Sequence, residues 1–203
     1  MVYVVSGPSG SGKSTLIKLV LAALPGVRFS VSHTTRPKRE TEVEGRDYYF
    51  VSEPEFRRLV RRHAFVEWAV VHGALYGTCR EELKKGKDGD LILDIDVQGA
   101  RQVRAKLPEA VFIFILPPSF EALRDRLLGR GQDNPRAIAR RLETARKEAR
   151  ECPRFEHVII NDGLNDAADE LAAIIVCGRT RQAARRRDVR PILAGFRRGT
   201  GKS

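Results

Sequence analysis

The octapeptide Gly7-Pro8-Ser9-Gly10-Ser11-Gly12-Lys13-Ser14 constrains this chain more than any other stretch of it. It matches the pattern G-x-x-x-x-G-K-[ST]. It stands directly after the apolar run Val2 to Val5 and before Leu16, Ile17, Val20, Leu21 and Leu24 at helical spacing. A strand, a glycine-rich loop and a helix in that order make a phosphate cradle. Gly10 and Gly12 let the backbone curl so that successive N–H groups and the helix N-terminus face one anionic chain. Lys13 is then placed to reach β and γ oxygens, and the Ser14 hydroxyl to enter a Mg²⁺ shell, with Thr15 beside it in the first helical turn. An ordinary glycine-rich turn would need all three elements to fall into register by coincidence. The chain is expected to bind a nucleoside triphosphate through Gly7 to Thr15.

The rest of the sequence suits the α/β class. Five short apolar runs, Val2 to Val5, Arg28 to Val31, Leu91 to Ile95, Val111 to Leu116 and Val158 to Ile160, alternate with helical patterns. This predicts a parallel five-stranded sheet flanked by helices. Some helix starts can be read directly: Ser52 with Pro54 and Glu55 has capping-box spacing before Phe56, Leu59 and Val60. Ser119 opens another helix, with Phe120, Leu123 and Leu127 on one face. Two regions break the alternation. Residues 32–87 hold turn residues, aromatic clusters and charges, and are read as an inserted lobe. Residues 124–150 are rich in arginine and poor in apolar side chains, and are read as a mobile cover.

The formal charge of the 203 residues is +11, but it is unevenly spread. Residues 178–203 hold nine basic groups against Asp188 alone, which leaves +3 on the first 177 residues. The basicity belongs to the tail, which is expected to be disordered and is the one segment suited to nucleic acid. Positions 1–177 form the expected domain. No apolar run approaches the ~20 residues of a membrane span, and the short N-terminal run lacks a basic leader, so a cytoplasmic protein without a membrane partner is expected. Cys79, Cys152 and Cys177 are odd in number and widely separated, which suggests buried thiols rather than a disulfide or zinc framework. The four histidines form no spaced cluster, and no nucleophile with an adjacent base is evident.

The run Leu91 to Asp96 ends in carboxylates where a P-loop enzyme places an acid to hold its metal, directly or through water. Asp94 is the better metal candidate with Ser14. Either Asp94 or Asp96 could instead cap the following segment, Val97 to Ala100.

The segment from Phe29 through Ser32, Arg36 and Arg39 is followed by Glu42, Gly45, Asp47, Tyr48 and Phe50. Then come Phe65-Val66-Glu67-Trp68 and Tyr76-Gly77-Thr78. Together with the phosphate loop, this order resembles guanylate kinases, from Met1 to about Ile175. The resemblance implies a P-loop kinase fold with a GMP-binding lobe at about 32–87 and a lid at about 124–150. It also implies ATP and Mg²⁺ as partners of the reaction and GMP, with dGMP, as acceptors. Ser32 and Glu67 would hold the guanine, with Thr78 adding a hydroxyl and Asp96 joining the GMP set. The chemistry suits them: a carboxylate accepts from N1–H and the 2-amino group while a hydroxyl donates to O6. Adenine would set an acceptor against the carboxylate, a mismatch worth roughly 10⁴ in discrimination. Arg36, Arg39, Glu42, Tyr48 and Tyr76 resemble the clamp on the GMP phosphate.

Arg126, Arg130 and Arg141 match the arginines of the family's lid, and Arg130 and Arg141 are assigned to catalysis with Lys13. Arg136 and Arg140 are read as a solvated face, with Glu143 and Glu148 as its helical partners. Asn161 matches a position beside the adenine, although Asn161-Asp162-Gly163 also reads as a turn with Gly163 left-handed. Thr41 replaces a common glycine, and Ala74 and Leu75 replace common Asn and Tyr. If that glycine takes positive φ, Thr41 would alter the loop. A catalytically inactive interaction domain of the same fold is the alternative, and the complete phosphate loop weighs against it. The sequence leaves the oligomeric state open.

Overall fold

The computed structural model describes residues 1–86, 89–129 and 135–198. In chain order its strands are β1 (Val2–Ser6), β2 (Val27–Phe29), β3 (His33–Thr34), β4 (Tyr49–Phe50), β5 (Phe65–Val71), β6 (Ala74–Cys79), β7 (Asp90–Asp94), β8 (Val111–Leu116) and β9 (His157–Ile160). The α-helices are α1 (Lys13–Ala23), α2 (Glu53–Arg61), α3 (Arg80–Leu83), α4 (Val97–Lys106), α5 (Phe120–Gly129), α6 (Pro135–Ala149), α7 (Leu164–Thr180) and α8 (Gln182–Arg198).

The five runs predicted as strands form one parallel sheet in the order β2-β7-β1-β8-β9. Its strands are apolar on both faces, as a sheet covered on both sides requires. Tyr3, Val5, Ile92 and Ile113 pack toward Leu16, Ile17 and Val20 of α1 and Leu171 and Ile175 of α7. Val4, Leu91, Leu93 and Phe112 pack toward Ala100 and Val103 of α4 and Val66 of β5. Strand β2 ends earlier than the apolar run implies. Ser30 still donates to Ile92, but the Val31 N–H goes to the buried Glu82 carboxylate, so the chain leaves the sheet there.

The lobe expected at 32–87 contains a second sheet, β4-β3-β6-β5. A two-residue turn at His72 (φ 51°) and Gly73 (φ 86°) joins β5 to β6, the left-handed pair that a tight hairpin demands. Helix α2 begins as the capping box predicts, with Ser52 Oγ accepting the Glu55 N–H and Phe56 buried against Phe65. The Ser119 cap is present too, accepting the Ala122 N–H at 3.0 Å. Helices α5 and α6 make a small core of Leu123, Leu127 and Ala145, and Arg146 lies over the Phe120 ring at 4.4 Å.

Three expectations are corrected. The segment after residue 177 is not disordered throughout. Helix α7 continues to Thr180 and α8 runs to Arg198, because Val189, Ile192, Leu193 and Phe196 recur at the helical period despite the charge around them. Gly163 is extended, with φ −97° and ψ 125°, since it caps α7 rather than closing a left-handed turn. The cysteines are free as expected but not all buried: Cys177 is exposed, and Cys79 and Cys152 are half-buried. Among the described residues no helix is long and apolar enough to cross a membrane.

Candidate active site

The site lies at the carboxyl edge of the parallel sheet, where β1 delivers its loop between β7 and β8. Gly7 and Gly12, with φ 141° and 95°, are squeezed into that edge. A Cβ at Gly7 would run into the Ile115 carbonyl, and one at Gly12 into the Asn161 amide, so only glycine fits either place. Asn161, 4% exposed at the end of β9, donates its amide to the Ser11 carbonyl at 2.8 Å. Its side chain therefore braces the loop. Arg126 donates to the Asn161 carbonyl at 2.8 Å and adds to the same support.

Lys13 Nζ donates to the Gly7 and Pro8 carbonyls at 2.6 and 3.1 Å, so the ammonium already curves over the loop. Ser14 Oγ donates to Asp94 Oδ2 at 3.1 Å. Burial pushes the Asp94 carboxyl upward, while the Lys13 charge and the Ser14 hydroxyl pull against that shift. Asp96 sits two residues on and caps α4, with Oδ1 accepting the Gly99 N–H at 2.9 Å. The structure thus separates the two carboxylates: Asp94 faces the loop's hydroxyl, while Asp96 is engaged as a cap and still lines the same cavity.

Across the cavity the second sheet brings Ser32, Glu67 and Thr78 together. Glu67 pairs in register with Thr78, beside a bulge between Phe65 and Glu67. All three are buried, and Ser32 Oγ lies 3.5 Å from Thr78 Oγ1. Burial pushes the Glu67 carboxyl up to about 7; the Thr78 hydroxyl and N–H and the Lys106 charge oppose that rise, and Asp96 adds to it. A buried acid so poised is a functional-site signature. Glu82, unnoticed in the sequence, accepts the Val31 N–H at 2.8 Å and so fixes the backbone beside Ser32.

Arg36 joins the next group. It donates to Tyr76 Oη at 3.2 Å and to Glu42 Oε1 at 2.6 Å, and lies over the rings of Tyr48 and Phe50. Burial would lower the Arg36 pKa, but its bonds to Glu42 and Tyr76 outweigh that and raise it. Glu42 is held low by Arg36 and by the Arg39 N–H, against the opposing effect of burial. Burial also raises the Tyr48 phenol. Thr41 does not adopt positive φ; among the described non-glycine residues only His63 and His72 do.

Lys13, Ser14, Asp94 and Asp96 on one side and Ser32, Glu67, Arg36, Glu42, Tyr48 and Tyr76 on the other line one cavity of about 940 Å³, along with Arg39 and Arg141, while Thr78 lies fully buried behind Ser32. Arg130 lies outside the described residues. Arg136 and Arg140 are exposed, as the solvated-face reading expects. Glu148 departs from that reading: it is 9% exposed and turned into the cavity, whereas Glu143 is exposed with Lys147 3.5 Å away. Glu143 and Glu148 look alike in sequence, and only the packing of α6 beside the loop tells them apart.

The family model for guanylate kinase matches residues 1–177. The chain belongs to the guanylate kinase family. The guanylate kinase of Geobacter metallireducens is 47% identical over 183 residues, 89% of this chain and 90% of its own. That of Symbiobacterium thermophilum is 49% identical, over 89% and 87% of the two chains. The crystal structure of guanylate kinase from Anaplasma phagocytophilum superposes with a TM-score of 0.76 at 35% identity, covering 89% of this chain and 87% of that one. The phosphate loop and the buried Ser32–Glu67–Thr78 cluster are therefore parts of a nucleoside monophosphate kinase fold, and this guanylate kinase family member has both facing one cavity.

Proposed function

We propose that this guanylate kinase family member transfers the γ-phosphate of ATP to GMP, giving ADP and GDP, with dGMP as a second acceptor. The observation that carries the proposal is the placement of two unlike recognition sites in one cavity: an intact phosphate loop on the parallel sheet, and the buried Glu67 carboxylate with the Ser32 hydroxyl on the inserted lobe. In this reading Glu67 accepts from guanine N1–H and the 2-amino group, Ser32 and Thr78 offer hydroxyls, and Asp96 borders the base. Arg36, Arg39, Tyr48 and Tyr76 hold the monophosphate, with Glu42 setting the Arg36 fork. An oxygen of that phosphate attacks the γ-phosphorus in line. The bond to the β–γ bridging oxygen breaks, and ADP leaves.

The chain's part in that step is positioning and charge. The loop N–H groups and Lys13 hold the polyphosphate, and Arg141, with Arg130, would neutralise charge on the migrating group. Ser14 and Asp94 present two oxygen ligands 3.1 Å apart, a hard donor pair that fits Mg²⁺ when phosphates complete its shell. Held by Ser14 and Asp94, the metal would supply positive charge to offset that of the polyphosphate. The domain assigned to this chemistry is 1–177, with the GMP lobe at about 32–87 and the lid at about 124–150.

A coupled ADP-release assay offering GMP, dGMP, AMP, CMP and UMP in turn with ATP and Mg²⁺ tests the proposal. Turnover on GMP and dGMP at least about 10³-fold above AMP is expected, and equal use of GMP and AMP would refute the base contacts. Lys13→Ala is expected to lower turnover by about 10³-fold or more while guanosine affinity stays within about twofold, checked by single-turnover kinetics and calorimetry.

A further inference from the structure

Glu148 is a carboxylate on the lid helix that the reaction scheme above does not use. It stands two turns after Arg141 on α6, is 9% exposed, and lines the cavity beside the phosphate loop. Packing places it beside the loop: a Cβ on Gly10 would meet Leu123 and Leu127, Ala145 clusters with the same two leucines, and Glu148 follows Ala145 by one helical turn. Burial drives its carboxyl upward, the Lys13 charge opposes this, and the Asp96 carboxylate adds to the rise. Its Oε2 is buried and has no hydrogen-bond partner. Such an arrangement costs free energy, and nothing in the apolar packing of α6 calls for it, since Ala145 already fills the contact with Leu123 and Leu127.

What the arrangement resembles is a ligand. Backbone N–H groups of a phosphate loop and its lysine are the donors such a loop offers to a polyphosphate, and here a side-chain anion lines the same cavity as Ser9, Gly10, Gly12 and Lys13 of that loop. A carboxylate and a triphosphate chain are both polyoxygen anions, and like charges cannot share a cradle without a large penalty. The side chain is also free to yield. Glu has three side-chain torsions, so Glu148 can swing out while Ala145 and the Arg146–Phe120 contact keep α6 seated on α5.

We propose that Glu148 is an affinity-setting residue of the ATP side, a tethered anion in the cavity of the phosphate loop that opposes the phosphates of the nucleotide and must swing aside for them. This rests on the cavity being the ATP–GMP site. It weakens both ATP and ADP, and so favours release of the ADP formed in each turnover. Ser32, Glu67 and the monophosphate clamp belong to the inserted lobe; Asp96 is the member of the GMP set that its charge reaches, and that carboxylate already caps α4.

The experiment is calorimetric titration of the full chain with ADP, with tripolyphosphate and with GMP, comparing wild type, Glu148→Gln and Glu148→Asp. Gln keeps the volume but removes the charge; Asp keeps the charge but withdraws it by one methylene. Glu148→Gln is expected to bind ADP and tripolyphosphate at least about fivefold tighter, the size of one partly screened like charge. Glu148→Asp should shift the same way by less, and GMP affinity should stay within about twofold for both. A merely structural role would move thermal stability without this split between ligands. Unchanged or weaker binding of ADP and tripolyphosphate in both variants would overturn the proposal while leaving the ATP site standing. If wild type bound neither ligand, the ATP-site reading would fall and take this proposal with it, a result that cannot be confused with the first.

Discussion

Glu67 shows how far burial can change what one residue type does. In water its carboxyl would be ionised throughout the physiological range; in the cavity its value is pushed up to about 7. The base contact proposed for it needs an ionised acceptor, because a protonated acid would point an O–H at the guanine N1–H. Guanosine affinity should therefore be flat above about pH 7 and fall below it, approaching tenfold per unit. Guanosine is the ligand to use, since the second ionisation of a phosphate ester lies near 6 and would confuse the profile for GMP. An inhibition constant for guanosine that stays level from pH 5.5 to 8.5 would contradict the assignment. The stability effect has the opposite sense. A folded value above the unfolded one means the native state binds the proton more tightly, so the stability contributed at low pH is lost as pH rises from the carboxylate range toward about 7. Glu67→Gln should accordingly raise the melting temperature at pH 8 and change it little at pH 4.5, as followed by circular dichroism.

At the scale of elements, helix α4 is the neighbour that keeps this carboxylate in place. A Cβ on Gly99 would strike Glu67 Oε2, so the helix approaches β5 closely only because that position carries none. Gly99→Ala separates site geometry from stability. Alanine is the better helix former by about 1 kcal/mol, so the melting temperature should hold or rise, while the displaced carboxylate weakens GMP by about tenfold or more. Equal GMP KM values for the variant and wild type would show that Glu67 tolerates the shift. Nothing in the sequence marks Gly99 as special, because the close approach is made by a strand more than thirty residues away. What could be read from sequence was local: the phosphate loop between a strand and a helix, and the caps at Ser52 and Ser119, whose partners lie three residues along the chain. Asn161 and Glu148 resisted because each reaches the loop's surroundings from far along the chain, 150 residues in the case of the Asn161–Ser11 bond, and a polar side chain at a strand end or on a mixed helix face does not announce which way it turns.

For the whole molecule, the basic segment turns out to begin later than its composition suggests. Tyr3 of the central strand donates to the Ile175 carbonyl at 2.9 Å, and its hydroxyl occupies the space a Cβ on Gly178 would need. Arg179 then pairs with Asp90 at 2.7 Å, and the same carboxylate holds the Met1 amine at 3.0 Å, while Arg179 also donates to the Pro25 carbonyl. Gly178 and Arg179 are thus part of the clasp that closes α7 over the sheet, although the charge pattern assigns them to the tail. Helix α8 is different: Ile192, Leu193 and Phe196 are exposed, 58, 52 and 75%, and bury little against the domain. Two truncations follow from this contrast. Removing 182–203 should leave GMP turnover within about twofold and the melting temperature nearly unchanged, since exposed surface contributes little to either. Removing 178–203 also strips Arg179 from Asp90 and should cost about 1–3 kcal/mol, read as a lower denaturation midpoint at unchanged slope. If the shorter truncation abolished turnover, α8 would belong to the catalytic unit. If the two truncations unfolded alike, the clasp at Asp90 would contribute nothing, and the parallel sheet would be held at that edge by α7 packing alone.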